Sequence, residues 1–286
     1  MYLKIPFDLN FTLCCGQVFR WRKIDDWWFS VLTGKPLKIR QCGNELQFKG
    51  CEEAFVSHYF GLNDDLAQIS QYVDRDPYIH KALQRYTGLR IVRQDPWECL
   101  VGYVCATFKN IPAIEQMQRK LSEKFGEKIV FDGQELFAFP SPKKLAMASE
   151  KELQKCGLGY RAKYVKGTAE QILEGKVDLE RLKNLPYLEA RKGLLELMGV
   201  GLKVADCVSL FSLEKMEAFP VDVWVRRIIM KHYADCLPGE LAKRVASQTT
   251  LSIGQYEKLN EWGRGYFGKY AGYAQEYLFH YERTQS

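Results

Sequence analysis

Residues 186–228 read PYLEARKGLLELMGVGLKVADCVSLFSLEKMEAFPVDVWVRRI, and they are the most informative segment of the chain. Its leucine-rich first part predicts a helix that ends at the turn Met198-Gly199-Val200-Gly201. A second helix begins near Leu202, where apolar residues recur at helical spacing. The pattern therefore predicts a helix–hairpin–helix over residues 187–211, followed by a third helix that begins at Pro220-Val221-Asp222.

The two glycines of this turn, Gly199 and Gly201, let the backbone approach a ligand closely. They lie where the N-terminus of the second helix offers free N–H groups and a positive dipole, which together suit a phosphate. A phosphate contact of this kind positions DNA without reading its sequence. The alternative is a hairpin that serves packing alone, and the turn by itself fits both interpretations.

Two residues near the turn could carry chemistry. Lys203 lies in the first turn of the second helix, where the dipole disfavours a cation, and a lysine amine must be neutral to act as a nucleophile. Asp222 opens the next helix, where a fixed carboxylate could assist proton transfer or stabilise a cationic sugar. Each also has an ordinary interpretation, because many lysines are solvated and aspartate is a common N-cap.

The arrangement LMGVGLKVADC…FPVDVWVRRI closely resembles the helix–hairpin–helix/Gly-Pro-Asp glycosylase superfamily. Within that superfamily it is most similar to the 8-oxoguanine DNA glycosylases that are also abasic-site lyases. Four more segments agree and follow the family's order: CGQVFRW at 15–21, DPWECLVGYVCATFKNI at 95–111, CGLGYRAKYV at 156–165 apart from its first position, and YAGYAQEYLFHYER at 270–283. The resemblance spans nearly the whole chain and implies a partner, double-stranded DNA that contains 8-oxoguanine.

The resemblance also implies a mechanism. Lys203 would attack C1′ of the damaged nucleoside and form a Schiff base, and β-elimination would then nick the strand. Asp222 would stabilise the oxocarbenium-like sugar and help proton transfers around Lys203. The damaged base must leave the duplex first, because its glycosidic carbon cannot be reached inside the base stack. We expect no metal and no cofactor.

A pocket for the damaged base follows from the same resemblance. Gly16 corresponds to the glycine whose carbonyl accepts the N7–H that 8-oxoguanine has and guanine lacks. Gln275 corresponds to the amide that bonds the Watson–Crick edge, and Phe279 and Cys207 to the residues on the two faces of the base. Phe279 lies one helical turn beyond Gln275, and Cys207 one turn beyond Lys203, so each pair shares a helix face. Apart from the resemblance, Phe279 and Cys207 would be core residues and Gly16 a turn glycine.

Further residues are expected to contact DNA beside the hairpin glycines. Tyr160 and Arg161 correspond to a wedge tyrosine and to an arginine that contacts the base left behind, and Asn110 is expected to contact DNA as well. Apart from the resemblance, Arg161 would be a solvated cation beside a helix start.

Three positions depart from the family pattern. Ala113 stands where a second cytosine-reading arginine is found, and Phe108 where an asparagine fills the vacated stack. Trp224 replaces a histidine near the lesion phosphate, and we expect both Phe108 and Trp224 to contact DNA. A phenylalanine can stack on any neighbouring base, so the sequence predicts a relaxed preference for the base opposite the lesion.

The fold class expected from the sequence is α+β. Short, partly alternating segments predict an antiparallel sheet before residue 50: Gln17–Arg22, Trp28–Thr33, Leu37–Gln41 and Glu45–Lys49. Helix signals follow, with caps expected at Asn63, Asp95, Ser141 and Ser149. We expect an N-terminal domain of sheet plus helices over residues 1–90 and an all-helical body over residues 91–286.

Composition limits the other possibilities. The 286 residues include 41 basic and 35 acidic side chains, a net charge of +6, and 47% are hydrophobic. This composition excludes disordered, collagen-like and coiled-coil proteins. The first residues lack a signal-peptide pattern, no apolar run reaches the length of a membrane helix, and the nine cysteines show no regular spacing. We expect a reduced intracellular monomer without membrane contact, located in the cytoplasm or nucleoid if the organism is a bacterium.

Other classes of function fit part of this pattern. A monofunctional alkylated-base glycosylase of the same superfamily also carries an N-terminal sheet, but it uses a water nucleophile and lacks a lysine in the hairpin. Branches with an iron–sulfur loop need four C-terminal cysteines, and only Cys236 follows residue 210. A non-catalytic DNA-binding module would need neither Lys203 and Asp222 nor Gln275 and Phe279.

Overall fold

The computed structural model describes residues 1–285. Its first part holds a four-stranded antiparallel sheet in the order β1-β2-β3-β4. The strands are β1 Arg22–Ile24, β2 Trp27–Leu32, β3 Lys35–Cys42 and β4 Glu45–Lys49. Four helices accompany the sheet: α1 Leu9–Cys14, α2 Glu53–Tyr59, α3 Leu66–Val73 and α4 Pro77–Arg85.

The second part is mainly helical. Its helices are α5 Pro96–Cys105, α6 Ile111–Phe125, α7 Pro142–Met147, α8 Glu150–Leu153, α9 Arg161–Leu173, α10 Leu179–Lys183, α11 Tyr187–Leu195, α12 Leu202–Phe211, α13 Val223–His232, α14 Gly239–Ala246, α15 Ile253–Phe267 and α16 Ala271–Gln285. Along residues 1–285, no helix is both long and apolar enough to cross a lipid bilayer. The α+β fold class expected from the sequence is confirmed.

Both faces of the sheet are covered. Leu37 and Ile39 of β3 are fully buried in a cluster shared with α1 and α2. On the other face, Phe29 and Val31 of β2 pack against Leu136. That leucine belongs to a β-hairpin made of β5 Lys128–Phe131 and β6 Gln134–Phe137. The expectation of an all-helical second part was therefore wrong at this hairpin.

The Asp132 carboxylate ties the hairpin tip to the sheet. It accepts hydrogen bonds from the Nζ atoms of Lys38 at 2.5 Å and Lys49 at 2.9 Å. These two lysines lower the pKa of Asp132 to about 2. The contact fixes the hairpin tip beside β3 and β4, while the packing of Leu136 on β2 holds its base.

Two local expectations for the first part were also wrong. Residues 17–21 are not a strand, because the Gln17 side chain is buried and bonds the backbone of other segments. The helix expected to be capped by Asn63 begins at Leu66, and its cap is Asp65, whose carboxylate accepts the N–H of Gln68. The helix α1 was not anticipated at all.

The expected helix starts of the second part are confirmed. The Asp95 carboxylate accepts the N–H of Glu98 at 2.9 Å and caps α5. Ser141 caps α7, and Ser149 with Glu152 forms a reciprocal capping box on α8. These side chains satisfy N–H groups that a helix cannot pair internally.

The helices α3 and α4 pack against α16, near the other end of the chain. The ring of Tyr86 lies 4.2 Å from that of His280, and the Tyr277 hydroxyl donates to the carbonyl of Leu89 at 2.9 Å. One hydrophobic cluster extends from Cys15 to Leu278. The segments on either side of residue 90 therefore share one hydrophobic core.

Candidate active site

The hairpin between α11 and α12 requires glycine at its first position. Gly199 has φ +78°, and a Cβ there would lie 2.6 Å from Cβ of Tyr164 on α9. A larger residue would meet both a strained backbone and a steric clash. Gly199 thus fixes how closely the hairpin approaches α9.

The second glycine has the opposite surroundings. A Cβ at Gly201 would meet no heavy atom of residues 1–285 within 4 Å, and its backbone is extended. No side chain in this described part caps the N-terminus of α12. The N-terminus of α12 is therefore left without a side-chain cap beside an exposed glycine, an arrangement that suits a phosphate site.

Lys203 lies in the first turn of α12, where its side chain is partly buried. Its Nζ stands 4.8 Å from the ring centroid of Tyr103, in cation–π contact. The same ammonium is within hydrogen-bonding reach of the Cys207 thiol, and burial raises the pKa of that thiol to about 12. Cys207 is therefore a neutral thiol at physiological pH.

Asp222 is both an N-cap and a neighbour of Lys203. Its carboxylate accepts the N–H of Val225 at 2.8 Å and caps α13. Burial raises the pKa of Asp222, while the charge of Lys203 and nearby backbone N–H groups oppose this rise. The capping role does not exclude a chemical one, because the same carboxylate also interacts electrostatically with Lys203.

A buried network holds these two residues in place. Asp206, one turn after Lys203 on α12, is fully buried. Its carboxylate accepts hydrogen bonds from the Tyr187 hydroxyl (2.6 Å), Arg191 Nε (2.7 Å), the Tyr256 hydroxyl (2.6 Å) and Asn260 Nδ2 (3.1 Å). The Tyr256 hydroxyl also accepts the N–H of Val221, and Asn260 donates to the carbonyl of Phe219. The network thus ties α12 to the segment that leads into α13.

The expected base-reading glycine lies in a rigid loop after α1. Gly16 has φ +109°, and a Cβ there would lie 2.8 Å from Cδ1 of Ile111 and 3.3 Å from Cε1 of Phe279. The next residue, Gln17, is anchored because its Nε2 donates to the Arg90 carbonyl at 2.8 Å and its Oε1 accepts the N–H of Val92 at 2.9 Å. The loop can hold its carbonyls in fixed directions.

The structure brings Phe279 of α16 against Gly16. Gln275, one turn earlier, is buried, and its Oε1 has no hydrogen-bond partner among residues 1–285. A buried acceptor without a partner is costly unless a ligand supplies a donor. This unsatisfied amide oxygen is consistent with a hydrogen-bonding site for a base.

The residues expected to contact DNA have different settings. Phe108 is 81% exposed and has φ +54°, so a large apolar ring is presented to solvent on a strained backbone. Tyr160 is also exposed. Asn110 caps α6 by accepting the N–H of Ala113, and Trp224 lies partly buried beside Asp222 at the start of α13.

Arg161 is buried at the start of α9. It is only 4% exposed, so it is not a solvated cation. Its guanidinium donates to the carbonyls of Thr107 and Leu158 and lies over the ring of Tyr160 at 4.4 Å. Three of its five N–H donors bond backbone carbonyls in this structure, and its burial leaves little of the group exposed to a base. Its contact with the opposite base stays a prediction.

Sequence reasoning missed three residues of the site. Tyr103 lies beneath Lys203, and nothing in its sequence context singles it out from the apolar helix α5. Glu276 and Arg283 face the Gly16 loop, and their helical spacing from Phe279 was an available signal. Within the described residues, no group of three or more His, Cys, Asp or Glu side chains is arranged to hold a metal ion.

Comparisons with known proteins agree with this geometry. Residues 3–100 match the family model "8-oxoguanine DNA glycosylase, N-terminal domain", and residues 109–246 match "HhH-GPD superfamily base excision DNA repair protein". The N-glycosylase/DNA lyase OGG1 of Arabidopsis thaliana is 32% identical over 95% of this chain and 76% of its own length. A probable N-glycosylase/DNA lyase of Methanothermobacter thermautotrophicus is 29% identical over 98% of this chain and 96% of its own length.

A solved structure extends the match over the whole fold. The 8-oxoguanine glycosylase/lyase of Clostridium acetobutylicum, in complex with double-stranded DNA that contains cytosine opposite 8-oxoguanine, superimposes with a TM-score of 0.87. The sequences are 33% identical, and the match covers 100% of this chain and 97% of the other. The resemblance found in the sequence is confirmed: the chain belongs to the 8-oxoguanine DNA glycosylase family within the helix–hairpin–helix/Gly-Pro-Asp superfamily.

Proposed function

We propose that this protein repairs DNA by excising 8-oxoguanine from the duplex and then nicking the abasic site. The Lys203 amine attacks C1′ as the base leaves and forms a Schiff base, and β-elimination then breaks the strand on the 3′ side. The partner is double-stranded DNA that contains the lesion, and the protein acts as a monomer. The names of the relatives support the activity, and the residues below support the mechanism.

One observation carries this proposal: Lys203, Cys207 and Asp222 come from two helices and converge at one place beside Tyr103. A lysine that serves packing or phosphate binding needs no buried carboxylate beside it. A carboxylate whose pKa is raised by burial can accept and return a proton during amine addition and elimination. A monofunctional glycosylase or a non-catalytic DNA-binding module would not require a lysine and a carboxylate at the same place.

Borohydride trapping on a duplex that contains 8-oxoguanine opposite cytosine tests the proposal. The wild type is expected to give a covalent complex, and Lys203→Gln is expected to give none while it still binds the duplex. Lys269→Gln is the matched control, since Lys269 also lies over a tyrosine ring, 4.9 Å from that of Tyr270, but far along the sequence from the hairpin. Wild-type trapping by Lys203→Gln would assign the chemistry to another amine.

The same assay measures the carboxylate. Asp222→Asn keeps an N-cap, because asparagine caps helices about as well as aspartate. We therefore expect a folded protein whose single-turnover excision is slowed more than tenfold, which corresponds to about 1.4 kcal/mol of barrier. A smaller change would leave Asp222 as a cap alone.

A relaxed preference for the opposite base belongs to the proposed function. Ala113 offers no hydrogen-bond donor, and the Arg161 guanidinium is bound to backbone carbonyls. The exposed ring of Phe108 can stack on a base of any identity. With no arginine at position 113 and Arg161 bonded to backbone, the enzyme is expected to accept several bases opposite the lesion.

A further inference from the structure

We propose that Glu276 and Arg283 are positioning residues that set lesion discrimination, by holding the loop 14–16 against helix α16. This inference rests on the proposed function, because Gly16 of that loop is taken to present its carbonyl to the lesion. Neither residue touches the base in this account. They act through the loop.

The contacts form three successive levels along one face of α16. The Cys15 thiol faces the Glu276 carboxyl. One turn on, the ring of Phe279 lies 3.3 Å from where a Cβ of Gly16 would be. Another turn on, Arg283 Nη2 donates to the Cys14 carbonyl at 2.9 Å. Three consecutive loop residues are thus each held by a different turn of the helix that also carries Gln275.

Glu276 is an unusual residue to find at such a contact. It is only 2% exposed, and its Oε1 has no hydrogen-bond partner within residues 1–285. The charged groups that act on it are Arg283 of the same helix and Asp222 at the start of α13. Tyr103 and Cys15 also face it. A buried carboxyl of this kind is costly to keep, which suggests a role beyond filling space.

The expected effect is specific to the lesion. Stacking on Phe279 and pairing with Gln275 are available to guanine and 8-oxoguanine alike. A hydrogen bond to the Gly16 carbonyl is available to 8-oxoguanine alone, because guanine presents a lone pair at N7. If the loop shifts, the affinity for 8-oxoguanine falls while the affinity for guanine does not. Substitution of a residue with a merely structural role would lower the affinity for both bases.

The experiment measures Kd for matched duplexes with 8-oxoguanine or guanine opposite cytosine, in the Lys203→Gln background so that no cleavage occurs. We expect Glu276→Ala and Arg283→Gln each to lower the preference for 8-oxoguanine by about tenfold. Glu276→Gln preserves the size of the side chain and its contact with Cys15, so its preference should stay within threefold of the parent. The control is Glu98→Gln, a partly buried carboxyl whose pKa is also raised; it lies on α5 and is paired with Arg20 at 3.1 Å.

The outcomes separate the two proposals. An unchanged preference in Glu276→Ala and Arg283→Gln, or a parallel loss of affinity for both duplexes, would overturn the positioning role alone. No preference for 8-oxoguanine in the parent protein would refute the proposed function, and this role with it. Since Arg283 is partly exposed, Arg283→Gln keeps the test decisive even if Glu276→Ala folds poorly.

Discussion

Lys203 lies beside an aromatic ring and near a carboxyl group. Its Nζ is in cation–π contact with the ring of Tyr103. The nearby carboxyl of Asp222 has a pKa that burial raises. In the proposed function, where the Lys203 amine attacks C1′, this carboxylate is the acceptor expected to take a proton from the amine.

Glu276 should make the stability of the protein depend on pH. Burial raises its pKa to about 7, against about 4.3 in an unfolded chain. Between these values the folded state holds a proton that the unfolded state has released, so the free energy of unfolding falls as pH rises from about 4.5 to 7. In wild type relative to Glu276→Gln, we expect a loss of up to about 3 kcal/mol across this window, measured by urea denaturation.

The difference between the two proteins is the quantity to measure, because other buried groups also titrate. Burial lowers the pKa of His280 to about 4, and this group gives a slope of the opposite sign between about pH 4 and 6.5. Burial also raises the pKa of Glu98 to about 7, as it does the pKa of Glu276. These contributions cancel in the difference. Parallel stability curves for wild type and Glu276→Gln would mean that the carboxyl is ionised at low pH in the folded protein.

The sequence was enough to identify candidate site residues that lie beside a helix start. It did not identify those that come together only through tertiary packing. Lys203 and Asp222 could be singled out because a hairpin turn and a cap mark their positions. Tyr103 and Glu276 come from other segments of the chain, and their role depends on what packs against them. For Arg161, the sequence alone suggested a solvated cation. The carbonyls of residues 107 and 158 bind it in a buried position instead.

The start of α12 allows a paired test of its two glycines. Gly199→Ala should lower the free energy of unfolding by at least about 2 kcal/mol, because its left-handed backbone and its contact with Tyr164 both oppose a Cβ. Gly201→Ala should leave stability nearly unchanged, since its Cβ would enter open space. Thermal unfolding measures both, with a decrease of about 4 °C or more expected for Gly199→Ala alone. Equal shifts would contradict the different roles assigned to the two positions.

The proposed function predicts a relaxed choice of opposite base from the residues around the start of α6. We expect 8-oxoguanine to be removed opposite cytosine only modestly faster than opposite adenine or thymine, because a lost base-edge contact forfeits about 1–3 kcal/mol of discrimination. Single-turnover rates on duplexes with each of the four opposite bases measure this. Ala113→Arg should restore a preference for cytosine. A preference above several hundredfold in the wild type would reveal a base-reading residue that has not been identified.

Local signals predicted helices better than strands in this chain. Helices with side-chain caps, such as α5, α7 and α8, begin where the sequence indicated. Residues 17–21 were mistaken for a strand because buried apolar residues there follow the loop around Gln17 and not a sheet ladder. The β5–β6 hairpin was missed because its strands have only four residues each and are stabilised by packing on β2.

The protein should unfold as one cooperative unit despite its two family segments. The N-terminal helices α3 and α4 pack on α16, and the N–H of Gln94 donates to the Phe211 carbonyl at 2.9 Å. Because one hydrophobic cluster joins both parts, we expect a single calorimetric transition whose calorimetric and van't Hoff enthalpies agree. Two resolved transitions would show that the segments 1–90 and 91–286 are independently stable.

The pocket formed by loop 14–16 and α16 is assembled from opposite ends of the sequence, since Cys14 and Arg283 are 269 positions apart. A chain emerging from the ribosome exposes the glycine loop first and Lys203 much later, and α16 arrives after both. Until α16 has been made, loop 14–16 lacks the helix that packs against it. Because α16 also contributes Tyr273 and Tyr277 to the main hydrophobic cluster, we expect a nascent chain that has not yet reached this helix to lack a stable core. The proposed base pocket and the fold around Lys203 are therefore expected to form together, at a late stage of synthesis.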